Sequence, residues 1–174
     1  MSIQETDITL RPFSDDDFSL FGHWLDQEYI YRWFCPDGEA EKQAWLTEVK
    51  GRNDEFFHLF PCIVMYQEKP IGFGMYADMY FEAAYFGETY GEDAVRNYIH
   101  EQKYAYEISY CIGDPFYMGK GIGNLIVKKL IEMVYAAGGK AIFADPDEAN
   151  IASVKTLLHN GFIKYKDGDY RKME

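Results

Sequence analysis

The chain has 174 residues, of which 48% are hydrophobic and 26% are charged, proportions that exclude a disordered chain, a collagenous rod and a coiled coil. Seventeen lysines and arginines against 29 aspartates and glutamates give a net charge of −12, so a nucleic-acid-binding face of clustered positive charge is not expected. The length predicts one domain over residues 1–174, and the acidic balance is compatible with a polycationic substrate.

The first 79 residues carry patterns for three strands and two helices. Ser14, followed by Asp17 three residues later, is typical of a capping box at a helix N-terminus. We interpret the aromatic run from Tyr29 to Phe34 as a connection between helices. The predicted elements are a strand at 8–13, helices at 14–25 and 40–51, and a hairpin with strands at 59–66 and 71–79.

Residues 82–103 combine acidic and aromatic side chains without a regular period, apart from a candidate helix at 94–101. Loops longer than about 12 to 15 residues are uncommon in compact domains unless they are functional. We therefore interpret this segment as an acidic, aromatic insertion that forms a lid or a wall of a substrate site.

The remaining chain alternates strands and helices. The predicted elements are strands at 104–112 and 140–144, helices at 121–137 and 151–159, and a closing hairpin of 162–165 and 170–173. The complete order, β-α-α-β-β-β-α-β-α-β-β, predicts a mixed α/β (α+β) fold with an antiparallel first half and a parallel crossover behind it.

The cysteines and the N-terminus indicate the compartment. The chain has three cysteines, an odd number, and they are far apart in the sequence: Cys35, Cys62 and Cys111. Neither a disulfide framework nor a zinc site is therefore expected. The start of the chain lacks a basic segment followed by an apolar one, and no apolar run reaches the roughly 20 residues that span a bilayer. We expect a cytoplasmic protein, a monomer or homodimer, without a metal and without nucleic-acid or membrane partners.

The stretch Met118-Gly119-Lys120-Gly121-Ile122-Gly123-Asn124 follows a predicted strand and opens a predicted helix. Glycines let the backbone approach a ligand closely, and the free N–H groups at a helix N-terminus favour an anion. The spacing fits neither a P-loop nor a dinucleotide-binding fingerprint. We interpret it as another kind of phosphate cradle.

This stretch and the order of elements resemble the GNAT superfamily of acetyl-CoA-dependent N-acetyltransferases. Met118 replaces the Arg or Gln that begins the family motif, a change that leaves the backbone donors in place. The helix that begins at Asn150 and ends in 160–162, Asn-Gly-Phe, is also similar to the family. The resemblance implies a GNAT fold: a mixed sheet of about seven strands, splayed at the acyl-CoA site, with about four helices. It further implies acetyl-CoA as donor and coenzyme A as product.

Within the superfamily the chain resembles bacterial aminoglycoside 6'-N-acetyltransferases, in Asp145-Pro146 followed by Asn150, the turn at 112–115, the run at 31–34 and the acidic insertion. The resemblance implies direct acetylation of the 6'-amine of an aminoglycoside, and hence antibiotic resistance. Two alternatives remain open: an N-terminal acetyltransferase of ribosomal proteins, and a catalytically weak acyl-CoA-binding module.

The resemblance assigns residues to the donor and to the chemistry. The cofactor-binding candidates are Cys111, Ile112, Met118, Gly119, Lys120, Gly121, Ile122, Gly123, Asn124, Asn150 and Ser153. A backbone N–H near Cys111 or Ile112 is expected to polarise the thioester carbonyl. The catalytic candidates are Asp145, first in rank as the carboxylate that meets the substrate amine, then Glu107 and Ser109. Ser109 stands where the aminoglycoside enzymes often have a second Asp, and Glu107 lies two residues away on the same strand face.

The substrate-binding candidates are Trp33, Tyr80, Glu82 and Asp147, an aromatic and anionic wall suited to ammonium groups. Many GNAT enzymes carry a tyrosine seven residues after the helix-leading Asn as the acid for the departing thiolate. Here that position is Leu157. We therefore expect water, or no dedicated acid, to serve the leaving group.

Overall fold

The computed structural model describes residues 3–54, 57–79, 104–165 and 168–174. The strands are β1 (Ile8–Pro12), β2 (Leu59–Tyr66), β3 (Lys69–Asp78), β4 (Ala105–Ile112), β5 (Ala141–Ala144), β6 (Ile163–Lys164) and β7 (Tyr170–Met173). The helices of these ranges are α1 (Phe18–Leu25), α2 (Glu28–Phe34), α3 (Glu39–Lys50), α4 (Ile122–Ala136) and α5 (Ile151–His159). None of these helices is both long and apolar enough to cross a bilayer. The predicted insertion at 82–103 lies outside the described residues.

The strands form one mixed sheet of seven in the order β1-β2-β3-β4-β5-β7-β6. The pairs β1–β2, β2–β3 and β3–β4 are antiparallel, whereas β4 and β5 are parallel and connected by the crossover helix α4. The last two pairs are again antiparallel. The predicted antiparallel first half with a parallel crossover behind it is confirmed.

The interpretation of the run from Tyr29 to Phe34 as a connection was wrong, because it lies within helix α2. Aromatic residues favour strands over helices in isolation, and the run has no polar face to reveal a helical period. Packing decides the outcome: Ile30 is buried beneath α1 and α3, and the indole N–H of Trp45 donates to the carbonyl of Phe34 at 2.8 Å. The described residues therefore contain five helices, one more than predicted.

Hydrophobic cores lie on both faces of the sheet. On one face α4 buries Ile122, Ile126, Leu130 and Val134, a four-residue spacing that keeps one helical stripe against the strands. On the other face α1, α2 and α3 cover β2 and β3, and the aromatic side chains of this second core include a stacked pair. Among the described residues, helices therefore cover both faces of β2 and β3.

Strands β4 and β5 separate from each other. The parallel pairing comprises Ala105 with Ala141, Tyr106 with Ile142 and Glu107 with Phe143, and it ends there. Strand β4 nevertheless continues to Ile112 in unbroken register with β3. A gap consequently opens beside the second half of β4, which is the splay that the sequence analysis predicted.

Candidate functional site

A cavity of about 620 Å³ lies at the open end of the gap between β4 and β5. Its walls come from helices α2 and α3, from strands β3 and β4 with the start of β2, and from the segment that leads from β5 into α5. The functionally informative lining residues are Arg32, Trp33, Glu41, Trp45, Glu48, His58, Asp78, Glu107, Ser109, Tyr110, Asp145, Asp147, Asn150, Ser153 and Leu157.

The structure brings most of the predicted catalytic and substrate-binding residues into this one cavity, together with two of the eleven cofactor-binding candidates. The lining includes all three predicted catalytic residues, two of the substrate-binding residues and two of the cofactor-binding residues, namely Asp145, Glu107, Ser109, Trp33, Asp147, Asn150 and Ser153. Tyr80 and Glu82 lie outside the described residues. The cavity therefore joins residues that are more than 100 positions apart in the sequence.

Glu107 and Ser109 lie on the same face of β4, as expected from the two-residue period of a strand. Their neighbour Cys111 packs into the core under α1 to α3, whereas the alternate residues Tyr106 and Ile108 pack against α4. Burial raises the pKa of the Cys111 thiol to about 12. A buried neutral thiol is a poor nucleophile, so Cys111 does not offer a covalent route.

The alternation of hydrogen-bonded and non-bonded pairs along β4 shows which backbone N–H, that of Cys111 or that of Ile112, faces the gap. The N–H of Gly113 donates to the carbonyl of Ile71 at 2.8 Å, which marks this residue pair as hydrogen-bonded. Because such pairs alternate with non-bonded ones in an antiparallel ladder, Cys111 directs its N–H toward β3. Tyr110 and Ile112 direct their backbone N–H and C=O groups toward the gap. Ile112, and not Cys111, has the orientation required of a backbone donor in the gap.

The glycine loop has the geometry of an open cradle. Gly119 and Gly121 have φ of 70° and 77°, left-handed values that an L side chain rarely adopts, and an added Cβ at either would meet no atom within 4 Å. Helix α4 begins directly after them, so the N–H groups of Ile122 and Gly123 have no carbonyl partner within the helix, whereas that of Asn124 donates to the Gly121 carbonyl at 3.1 Å. The side-chain oxygen of Asn124, in the first turn of this helix, is buried and has no hydrogen-bond partner among the described residues.

The start of α5 forms the opposite side of the gap. The side-chain oxygen of Asn150 accepts a hydrogen bond from the N–H of Ser153 at 3.2 Å and thereby caps the helix. The hydroxyl of Ser153 lies 3.3 Å from that of Tyr110, which reaches across from β4. A Cβ added at Gly123 would lie 3.7 Å from the Tyr110 ring. Tyr110 therefore connects the glycine cradle, α5 and the cavity.

Sequence reasoning missed three acidic residues of the cavity, Glu41, Glu48 and Asp78. Glu48 lies on the stripe of α3 formed by Glu41, Ala44 and Trp45, a spacing of i, i+3, i+4 and i+7 that places all four toward the cavity. Burial raises the pKa of Glu48. Glu41 belongs to the same stripe, and the third residue, Asp78, lies at the end of β3. The helical spacing was a usable signal for Glu41 and Glu48, whereas Asp78 is recognised only from the strand register.

The cavity is strongly anionic. Six carboxylates line it, against one arginine, whose guanidinium carbon lies 4.4 Å from the centre of the Trp33 ring. The carboxylates are those of Glu41, Glu48, Asp78, Glu107, Asp145 and Asp147. Among the described residues, no group of three or more histidines, cysteines or acids is arranged to hold a metal ion. Such a cavity favours cationic occupants through its negative potential.

Comparison with known families agrees with this geometry. The family model described as the acetyltransferase (GNAT) domain matches residues 7–163. The chain belongs to the GNAT acetyltransferase family. The gap between β4 and β5, the glycine cradle and the cavity are therefore features of a GNAT protein, and the family resemblance seen in the sequence is confirmed.

Individual relatives of this GNAT protein are distant. Aminoglycoside N(6')-acetyltransferase type 1 of Klebsiella pneumoniae is 24% identical over 160 residues, covering 89% of this chain and 73% of the relative. The crystal structure of aminoglycoside acetyltransferase AAC(6')-Ib with coenzyme A aligns with a TM-score of 0.70 at 19% identity, covering 96% of this chain and 95% of the other. Spermidine N-acetyltransferase of Vibrio cholerae, with coenzyme A and spermine, aligns with a TM-score of 0.71 at 16% identity over 97% and 96% of the two chains.

Proposed function

We propose that this protein transfers the acetyl group of acetyl-CoA to a primary amine of a small polycationic substrate, with the 6'-amine of an aminoglycoside as the first candidate. The observation that carries the proposal is the anionic cavity, which opens where β4 leaves β5 and which contains Asp145, Glu107 and Trp33. Acetyl-CoA supplies an activated thioester when it is bound. The residues of this chain supply its binding, the orientation of the amine and the proton transfers.

The donor fits along one continuous path. The cradle at Gly119 to Gly123 offers backbone N–H groups to the pyrophosphate, because its open glycines and helix N-terminus favour an anion. The gap-facing backbone groups of Tyr110 and Ile112 suit the amides of the pantetheine arm. Asn150 and Ser153 border the same gap. The Ile112 N–H is the donor that we assign to the thioester carbonyl, where one such hydrogen bond is worth about 3 to 4 kcal/mol in other enzymes.

The carboxylates handle the amine. A primary amine is protonated in neutral solution and attacks only after it loses a proton, which a carboxylate accepts directly or through water. Asp145 follows the buried end of β5 and is exposed at the cavity mouth, and Glu107 is half-buried deeper on β4. We assign the amine contact to Asp145 and a supporting role to Glu107. Ser109, beside Glu107, contributes a hydroxyl in place of a second aspartate.

The remaining cavity supports a substrate with several ammonium groups. Glu41 and Glu48 lie seven residues apart on α3, which corresponds to roughly 10 Å at 1.5 Å per residue. They line the same cavity as Asp145 but belong to a different part of the chain. Aminoglycosides and linear polyamines both carry cationic groups at such separations. The named relatives include enzymes of both kinds, so spermidine is the second candidate substrate.

A panel of amines tests the proposal. Thiol release from acetyl-CoA would be followed with kanamycin- and neomycin-type aminoglycosides, spermidine, lysine and a ribosomal N-terminal peptide. Turnover of aminoglycosides that have a free 6'-amine, and not of analogues with a 6'-hydroxyl, is the expected result. Turnover of spermidine alone would replace the first candidate by the second. Turnover of the peptide alone, or acetyl-CoA binding with no turnover, would overturn the proposal in favour of one of the alternatives.

A further inference from the structure

The departing thiolate has no obvious acid on α5. Leu157 is apolar and 1% exposed, although its side chain borders the cavity. Tyr110 provides a hydroxyl at the same end of the gap. Its ring projects from β4 toward α5, and its oxygen lies 3.3 Å from the Ser153 hydroxyl, with Thr156 also within hydrogen-bonding reach. A phenol of β4 therefore lies against hydroxyl groups of α5 beside the gap.

We propose that Tyr110 is the proton donor to the coenzyme A thiolate in this enzyme. This inference rests on the proposed acetyl transfer. The amine nitrogen forms a bond to the thioester carbonyl carbon, the carbon–sulfur bond breaks, and its electron pair leaves on sulfur. The Tyr110 O–H gives its proton to that sulfur. The proton that the amine lost passes through the carboxylates to solvent, and solvent returns a proton to the tyrosinate.

The surroundings of Tyr110 suit this role. Burial raises the pKa of its phenol, so the hydroxyl holds its proton at neutral pH before the reaction. Ser153 and Thr156 stabilise the tyrosinate that forms, because hydroxyl groups donate hydrogen bonds to an anion. Tyr110 also presents its own backbone groups to the gap, so the phenol lies on the residue that borders the pantetheine path.

The experiment combines binding and turnover in the Tyr110→Phe variant. The pKa of the coenzyme A thiol is measured in the binary complex by the ultraviolet absorbance of the thiolate. We expect the variant to raise that pKa by about one unit, because it loses one hydrogen bond to a charged group. We expect kcat for acetyl transfer to fall roughly 100-fold, with little change in KM for acetyl-CoA.

Tyr135→Phe is the matched control, since the Tyr135 hydroxyl donates to the Met173 carbonyl at 3.1 Å and neither residue lines the cavity. It should change neither the thiol pKa nor kcat. An unchanged thiol pKa and unchanged kcat in Tyr110→Phe would overturn the role of Tyr110 while leaving the acetyl transfer intact. A Tyr110→Phe loss confined to KM would make Tyr110 a binding residue and also overturn it. Failure of the unaltered protein to bind coenzyme A would instead refute the proposed function.

Discussion

Asp17 connects the first strand to the first helix. Both of its oxygens accept from the Arg11 guanidinium, at 2.6 and 2.7 Å, and one also accepts from the N–H and hydroxyl of Ser14. The Arg11 hydrogen bonds lower the pKa of Asp17 from 3.8 to about 2. The side chain is only 7% exposed, so solvent screens these interactions little. Asp17 is thus a structural residue outside the cavity.

We expect Asp17→Asn to lower the free energy of unfolding by about 2 kcal/mol at neutral pH. A lowered pKa in the folded state stabilises the protein above the unfolded value and loses that contribution as the pH falls through the folded value. The difference between the two proteins should therefore shrink between about pH 4 and about pH 2. Urea unfolding over this range measures it.

Asp15→Asn is the comparison, because Asp15 also pairs with an arginine, Arg52, but its side chain is 85% exposed. Exposed pairs contribute about 0 to 1 kcal/mol, so its effect should be small at every pH. If both variants lost the same free energy of unfolding, the buried hydrogen bonds of Asp17 would stabilise the protein no more than the exposed ion pair of Asp15.

Asp145 is the residue on which the proposed chemistry depends most. We expect Asp145→Asn to lower kcat/KM for the accepted amine roughly 100-fold, because the neutral amide neither attracts an ammonium group nor accepts its proton. The unfolding midpoint should not change, since the side chain is exposed. Steady-state thiol release measures the loss.

The control is Glu148→Gln, a nearby carboxylate that pairs with Lys164 and does not line the cavity. Its kcat/KM should match that of the unaltered protein. If both variants lost activity equally, the negative charge of the region, and not the position of Asp145, would be responsible.

At the level of elements, the glycine loop shows where backbone conformation limits substitution. We expect Gly121→Ala to weaken acetyl-CoA binding about tenfold and to lower stability by about 1 kcal/mol. The reason is that φ of 77° strains an alanine even though the space beside it is open. Isothermal titration with acetyl-CoA and thermal unfolding measure the two effects.

Gly123→Ala serves as the paired variant for stability. Gly123 lies inside α4. A Cβ added there would lie 3.5 Å from the nearest atom, the Thr156 hydroxyl oxygen, which is an ordinary contact distance. Alanine is the better helix former by about 1 kcal/mol, so stability should hold or rise. A fall in stability for Gly123→Ala alone would contradict the conformational explanation.

The elements that the sequence predicted well share a physical property. Strands and helices with one polar face, such as β4 and α4, carry their own period because one face meets the core and the other meets water. Helix α2 has no such contrast, since its aromatic residues contact the core on one side and line the cavity on the other. When a helix contacts the core with one face and lines an active site with the other, both faces carry apolar or aromatic side chains. The alternation of polar and apolar residues that marks a helix in the sequence is then lost.

For the whole molecule, the charge distribution yields a prediction about salt. The net charge is −12, and the cavity concentrates six carboxylates. Raising the salt from about 50 to 500 mM shortens the screening length severalfold. We expect KM for a polycationic amine to increase several-fold over this range, and KM for a monoamine to change much less. Steady-state kinetics at fixed pH measure both values, and equal salt slopes for the two amines would count against the anionic wall.

The sequence alone determined the mixed α/β fold, the glycine cradle and the family, because each depends on local patterns: periodicity, conformational freedom and a short ordered motif. It also placed Asp145, Glu107 and Trp33 in one site through the family resemblance. Tertiary structure alone decided that α2 is a helix, that Ile112 and not Cys111 directs its N–H into the gap, and that Asp78 and Tyr110 join the cavity. These outcomes depend on strand register and on contacts between distant segments, which a linear pattern does not encode.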